Sequence, residues 1–250
     1  MSEIEPCIEF LGEVDTTMEV VKERFEAYAD KPFGIVAESQ RMGRGTSGRV
    51  WISPKGNLYF TLCIPQDNPK YLSNGLIIVL PLICGIACRK AILALLPGLS
   101  PERIGVKWPN DIIYDHKKLG GTLVESSGNY CVIGIGINVE VAPTVMDSGR
   151  EATSLKCLAE NLCIQNTTPP ELAKMIWVCL FEILTDSSMT RKKVVEEFSK
   201  VMDRSLKLHK RIPGGRDEEE LTAVSLNEWG HLRVRHADGV EEELCADYLF

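Results

Sequence analysis

The stretch Gln40-Arg41-Met42-Gly43-Arg44-Gly45-Thr46-Ser47-Gly48-Arg49-Val50-Trp51 constrains this chain more than any other. Strand-like apolar runs lie on both sides of it, Phe33 to Ala37 before and Asn57 to Ile64 after, so it reads as a long loop between two strands. Its glycines let backbone N–H groups approach a ligand closely, and its arginines carry forked donors that match carboxylate or phosphate. Such a loop is suited to hold an anionic small molecule. The bland alternative is a solvated basic hairpin loop.

The rest of the composition makes that basicity local. The net charge is -7 and the pI about 5.3, which speaks against non-specific binding to nucleic acid or to an anionic membrane. The 250 residues, 44% hydrophobic and 25% charged, suit one large domain or a medium domain with a small one. Nine cysteines without a CxxC pair read as reduced thiols in a cytoplasmic setting, and Cys84 with Cys88 as core packing rather than a metal pair. The acidic Met1-Ser2-Glu3-Ile4-Glu5 lacks the form of a targeting signal. The longest apolar run, about Leu76 to Cys88, is too short for a bilayer and reads as a core helix.

In chain order, Ile8 to Val14 reads as a strand, and Thr16 with Glu19 as a capping box opening a helix marked by Met18, Val21, Phe25 and Tyr28. Pro81 suits the first turn of a helix reaching Leu96. Two β-type runs then flank the break Pro109-Asn110-Asp111, with Asp115 to Lys118 as a turn and Leu119 to Glu125 as the next strand. Tyr130 to Val141 reads as a strand; its Gly134-Ile135-Gly136 lacks the third glycine of a dinucleotide fingerprint. No GxxxxGK[ST] is present, so a P-loop is excluded. Helices are expected from Thr153, from Thr168 and from Arg191. The mixed order predicts an α+β fold with a mixed, largely antiparallel sheet flanked by helices. Beyond a boundary at 204/205, short alternating strands with turns at Trp229-Gly230 and Asp238-Gly239 predict a small C-terminal β-barrel domain (205–250) after the larger domain (1–204).

Four segments, in order and spacing, resemble the biotin protein ligases: Asp15-Thr16-Thr17, the Gly-Arg loop with Trp51-Ile52-Ser53-Pro54, Lys107-Trp108-Pro109-Asn110-Asp111 with Lys118-Leu119-Gly120-Gly121, and Gly134-Ile135-Gly136-Ile137-Asn138. The resemblance runs from about residue 8 to 140. It implies a class II synthetase-like catalytic domain with an SH3-like C-terminal barrel, in a short form without an N-terminal DNA-binding domain. It also implies a reaction: biotin and ATP give biotinyl-5′-AMP, with Mg²⁺, and biotin then passes to a lysine of a biotin carboxyl carrier domain of biotin-dependent carboxylases. By position, Lys118 and Arg44 match the catalytic cations. Thr16, Thr17, Gln40, Gly43, Gly45, Gly121 and Gly134 match groups around biotin. Gly48, Arg49, Trp51, Asn110, Asp111 and Asn138 match the adenylate side, with Asp111 also the candidate for placing Mg²⁺.

Residue by residue, bland readings stand beside these: capping for Thr16 and Thr17, a solvated turn lysine for Lys118, local backbone bonding for Asn138, and turn formation for Asn110-Asp111. Thr46 stands where bacterial members often carry a second arginine, so Arg49 or Lys55 is expected to share its charge duty. The loop is expected to act as a lid over the mixed anhydride, mobile without ligand and ordered with it. A lipoate-protein ligase, a non-catalytic biotin- or nucleotide-sensing module and a small-molecule-regulated transcription factor are the rivals. Biotin against lipoate as acid, and biotin-dependent ATP–pyrophosphate exchange, separate the first two. The expected partners are carrier domains, with no nucleic acid and no membrane. The chain is expected to be a monomer or a homodimer.

Overall fold

A computed structural model of the chain describes residues 4–28, 31–72, 75–143, 151–205, 208–212 and 215–245. Seven strands form one sheet: β1 (Ile8–Val14), β2 (Phe33–Gln40), β3 (Leu58–Pro65), β4 (Ile104–Lys107), β5 (Asp111–Tyr114), β6 (Lys117–Ser127) and β7 (Tyr130–Ile137). Their order is β1-β2-β3-β7-β6-β5-β4; β1 and β2 run parallel and every other pair antiparallel. The predicted mixed, largely antiparallel sheet is therefore present.

Side chains alternate across a strand, and β3 shows what that does here. Leu58, Phe60, Leu62 and Ile64 enter the main core, whereas Cys63 joins a smaller cluster with Met18, Val21, Phe33, Ile35 and Val132. Helices α3 (Leu80–Leu95), α4 (Leu155–Leu162), α5 (Pro169–Thr185) and α6 (Arg191–Val201) supply apolar residues to the main core. The smaller cluster is covered by α1 (Thr17–Glu23), which leads on to a single turn, α2 (Phe25–Tyr28). Pro81 lies in the first turn of α3, where its missing N–H costs nothing, and Thr168 with Glu171 closes a capping box on α5.

Several expectations are corrected. Thr16 caps α1 through the Met18 N–H, but Glu19 turns out toward Lys22 and Arg44, so no box closes. The helix breaks at Arg24, whose side chain reaches back to Glu9 on β1. Strand β7 ends at Ile137, because Asn57 Oδ1 accepts from the N–H groups of Val139, Glu140 and Val141 and folds that segment into a turn. The apolar run is longer than the sequence reading took it to be. Ile77–Leu95 is long and apolar enough to cross a membrane by length and composition, and it is the burial of 56% of it within the protein that marks a core helix.

At the C-terminal end, β8 (Arg211–Ile212) and β9 (Gly215–Arg216) pair, and β10 (Thr222–Leu226), β11 (Leu232–Arg235) and β12 (Glu241–Leu244) form a three-stranded antiparallel sheet. The predicted turns are there, with Gly230 and Gly239 at positive φ. This small sheet is compatible with an SH3-like unit. Leu221, Leu232, Val234 and Leu244 belong to the same core as the helices, and Trp108 Nε1 donates to the Gly230 carbonyl at 2.8 Å.

Candidate functional site

The face of the sheet opposite α3 and α5 holds a cleft of about 590 Å³ counting its open mouth. Its floor exists because three strand positions have no side chain. Gly121 and Gly136 are cross-strand partners, and Gly134 pairs with Thr61 on one side and Leu123 on the other. The Trp51 indole lies in the space so cleared: a methyl group at Gly136 would stand 2.6 Å from its Nε1, and one at Gly121 3.7 Å from its ring. At Gly134 the corresponding distance is 2.8 Å, to the Met18 sulfur.

A directed chain of hydrogen bonds lines one wall. Thr61 Oγ1 donates to Thr17 Oγ1 at 2.7 Å, and Thr17 Oγ1 donates to Gln40 Oε1 at 3.1 Å. The Thr17 N–H donates to the same oxygen at 2.9 Å. Gln40 Nε2 then donates to Ser53 Oγ at 3.0 Å, which donates to the Trp51 carbonyl at 2.9 Å. The chain fixes which way the Gln40 amide points and ties α1, β2, β3 and the loop together. Thr17 is buried here by this network, beyond any capping duty.

Lys118 is not on a turn. The turn is only Asp115-His116, both at positive φ, and Lys118 already belongs to β6, opposite Ile113. On its other side the Lys118 N–H donates to the Glu151 carbonyl at 2.8 Å and its carbonyl accepts from Thr153 N–H at 2.9 Å. Pinned from both sides, the residue sends its ammonium group into the cleft, 3.2 Å from Asp111 Oδ1 and 5.3 Å from the centre of the Trp51 ring. The side chains of Lys118 and Asp111 are only 12% and 13% exposed, which removes the reading of a solvated lysine.

Among the described residues, three buried side-chain polar atoms lack a hydrogen-bond partner. Two of them, Trp51 Nε1 and Thr122 Oγ1, are on residues that line the cleft. Asp111 is the carboxylate of the lining, and the described residues contain no cluster of three His, Cys, Asp or Glu groups able to hold a metal. That donor set suits a magnesium ion that arrives with phosphates rather than one caged by protein.

The loop brings Arg44 and Arg49 to the cleft. It closes on itself through Trp51 N–H to the Gly43 carbonyl at 2.9 Å and Gly45 N–H to the Arg49 carbonyl at 2.8 Å. Arg49 donates from Nη2 to Thr46 Oγ1 at 2.6 Å and from Nε to the Thr46 carbonyl at 3.2 Å, so the residue standing in place of an arginine holds the neighbouring one. Lys55 pairs instead with Glu38 and does not line the cleft.

Thr16, Thr17, Gln40, Arg44, Gly45, Arg49, Trp51, Asn110, Asp111, Lys118, Gly121 and Gly134 all line the cleft; Gly43, Gly48 and Asn138 do not. Gly43 packs under the loop, where a methyl would meet the Trp51 carbonyl at 2.3 Å, and Gly48 lies exposed at φ 73. Asn138 is buried and donates to the Thr153 carbonyl at 3.0 Å.

Sequence reasoning passed over Thr61, Tyr59, Thr122 and Gly136. Thr61 was signalled by a small polar residue inside an otherwise apolar and aromatic strand, and Gly136 by its spacing of two from Gly134, which places both on one face. Among the described residues no cysteine lines the cleft, and burial pushes the Cys63 thiol up to about 12 and the Cys131 thiol up to about 11.

The model of the biotin/lipoate A/B protein ligase family matches residues 11–141. A solved biotin protein ligase from Leishmania major, in complex with biotin, is 53% identical, with 96% of this chain and 99% of that one covered at a TM-score of 0.79. The Aquifex aeolicus biotin protein ligase, in complex with biotin and ATP, is 25% identical over 98% of this chain and 97% of its own, at 0.75. Among curated proteins, the bifunctional ligase/repressor BirA of Escherichia coli is 35% identical over 123 residues. That match takes in 46% of this chain but only 36% of BirA. The chain thus spans about a third of the length of the first curated relatives it matches.

Proposed function

Since the chain belongs to the biotin/lipoate A/B protein ligase family, we propose that it activates biotin with ATP as biotinyl-5′-AMP and transfers the biotinyl group to a lysine of a carrier domain. The observation that carries this reading is Lys118, a nearly buried cation aimed into a cleft beside Asp111 and Trp51. Activation brings a carboxylate against a polyphosphate, and charge builds at the α-phosphorus as the acyl–phosphate bond forms and pyrophosphate leaves. Lys118, Arg44 and Arg49 are the side-chain cations of the cleft, and Lys118 is already held there by Asp111. Magnesium, held by Asp111 and phosphate oxygens, would neutralise further phosphate charge.

The wall of Thr17 and Gln40 supplies neutral donors and acceptors to a ring that carries no charge, while Trp51 offers a flat face to a base. In the second step the acceptor amine, once deprotonated, attacks the acyl carbonyl and AMP departs. We take the acceptor to be the carrier domain of a biotin-dependent carboxylase, and the net charge of -7 supports a protein partner over a nucleic acid. All nine cysteines are free, which supports a reducing, cytoplasmic setting. The sheet β10–β12 is tied to the residues before it by the Trp108 Nε1–Gly230 carbonyl bond.

The test is ATP–pyrophosphate exchange with biotin or lipoate as the acid. Exchange should depend on biotin and fall by about 100-fold or more in Lys118→Ala. Exchange driven by lipoate alone, or undiminished in the variant, would refute the reading.

A further inference from the structure

An anion-binding cleft has no evident use for acids at its rim, yet two stand there. Arg44 Nη2 lies 3.1 and 3.0 Å from the two carboxylate oxygens of Glu125 on β6, and 3.2 Å from Glu19 on α1. Lys22 Nζ joins the same two acids, at 3.0 Å from Glu125 and 3.1 Å from Glu19. Two cations and two anions thus close a neutral ring that joins the loop to two elements distant in sequence. Partial burial alone would lower the proton affinity of the Lys22 amine, but the hydrogen bonds it donates to Glu125 and Glu19 outweigh that and hold it above the ordinary value. When Arg44 is taken away, Lys22 remains paired with both acids, one positive charge against two. Arg44 can therefore leave for a phosphate without stranding two carboxylates, and the acids compete with the phosphate for it.

We propose that Glu125, assisted by Glu19, is a positioning residue for Arg44, a latch that fixes the lid loop 40–51 and that the nucleotide must displace. This rests on the ligase reading for what displaces the latch, but not for the latch itself. Neutralising Glu125 should free the loop and ease the capture of Arg44 by phosphate.

The experiment compares wild type with Glu125→Gln, Glu125→Asp and Glu38→Gln; the last removes the same charge from a pair that does not touch Arg44. Amide hydrogen exchange of residues 41–51 in the protein without ligand is followed together with biotin-dependent pyrophosphate exchange. In Glu125→Gln, loop exchange should rise by about threefold to tenfold and KM for ATP should fall by a similar factor, more than kcat changes. Glu125→Asp should restore most of the protection, and Glu38→Gln should alter neither readout. Loop exchange that is unchanged in Glu125→Gln, or an equal shift in Glu38→Gln, overturns the latch. Absence of biotin-dependent exchange in the wild type overturns the ligase reading instead, and loop protection still reports on the latch.

Discussion

The two faces of the central sheet are made by the same strands and do opposite work. On β3, Phe60 points into the helix layer and Thr61, its neighbour, into the cleft network. On β7, Ile133, Ile135 and Ile137 belong to the main core, while Gly134 and Gly136 stand between them and clear the floor. One face is filled for stability; the other is emptied and wired with hydroxyls and amides. The difference teaches that the site costs little in the fold, because the two-residue period of a strand lets each face be specified separately.

The sharpest way to break the comparison is at adjacent residues. Phe60→Ala should destabilise the protein by about 3–5 kcal/mol in a denaturant titration, yet leave exchange activity per folded molecule near wild type. If activity fell as stability fell, the faces would not be separable. Gly136→Ala should do the reverse. Its methyl group would meet the Trp51 indole within 2.6 Å, so KM for ATP should rise by about tenfold with an altered tryptophan emission, while the unfolding midpoint stays close to wild type. The smallest effect belongs to Thr61→Val, an isosteric loss of the donor to Thr17. KM for biotin should rise about threefold to tenfold, near 1 kcal/mol, with KM for ATP unchanged. A change in ATP binding alone would move the network to the wrong end of the cleft.

Much of this was legible along the chain. Strands with a run of apolar residues, Pro81 near the start of α3 and the Thr168-Glu171 capping box carry local physical signals that tertiary contacts did not override. Lys118 was misread as a turn residue because Asp115-His116-Lys117-Lys118 is polar throughout. What makes it a strand residue is pairing across the short turn with Ile113 and, on its other side, with residues 151–153, which follow much later in the chain. Glu19 looked like half of a capping box, and only the approach of β6 and the loop turned it toward Arg44.

The sequence by itself determined the strand period, the glycine spacing and the order of the motifs, since each depends on residues within a few positions of one another. The loop 40–51, basic and glycine-rich, was visible as an anion holder on those terms alone. Only the tertiary structure decided that Arg49 is held by Thr46 while Lys55 is drawn off to Glu38, and that Arg44 answers to Glu125 from 81 residues away. Charges pair with whatever folding brings within a few ångströms, and no local pattern records that distance.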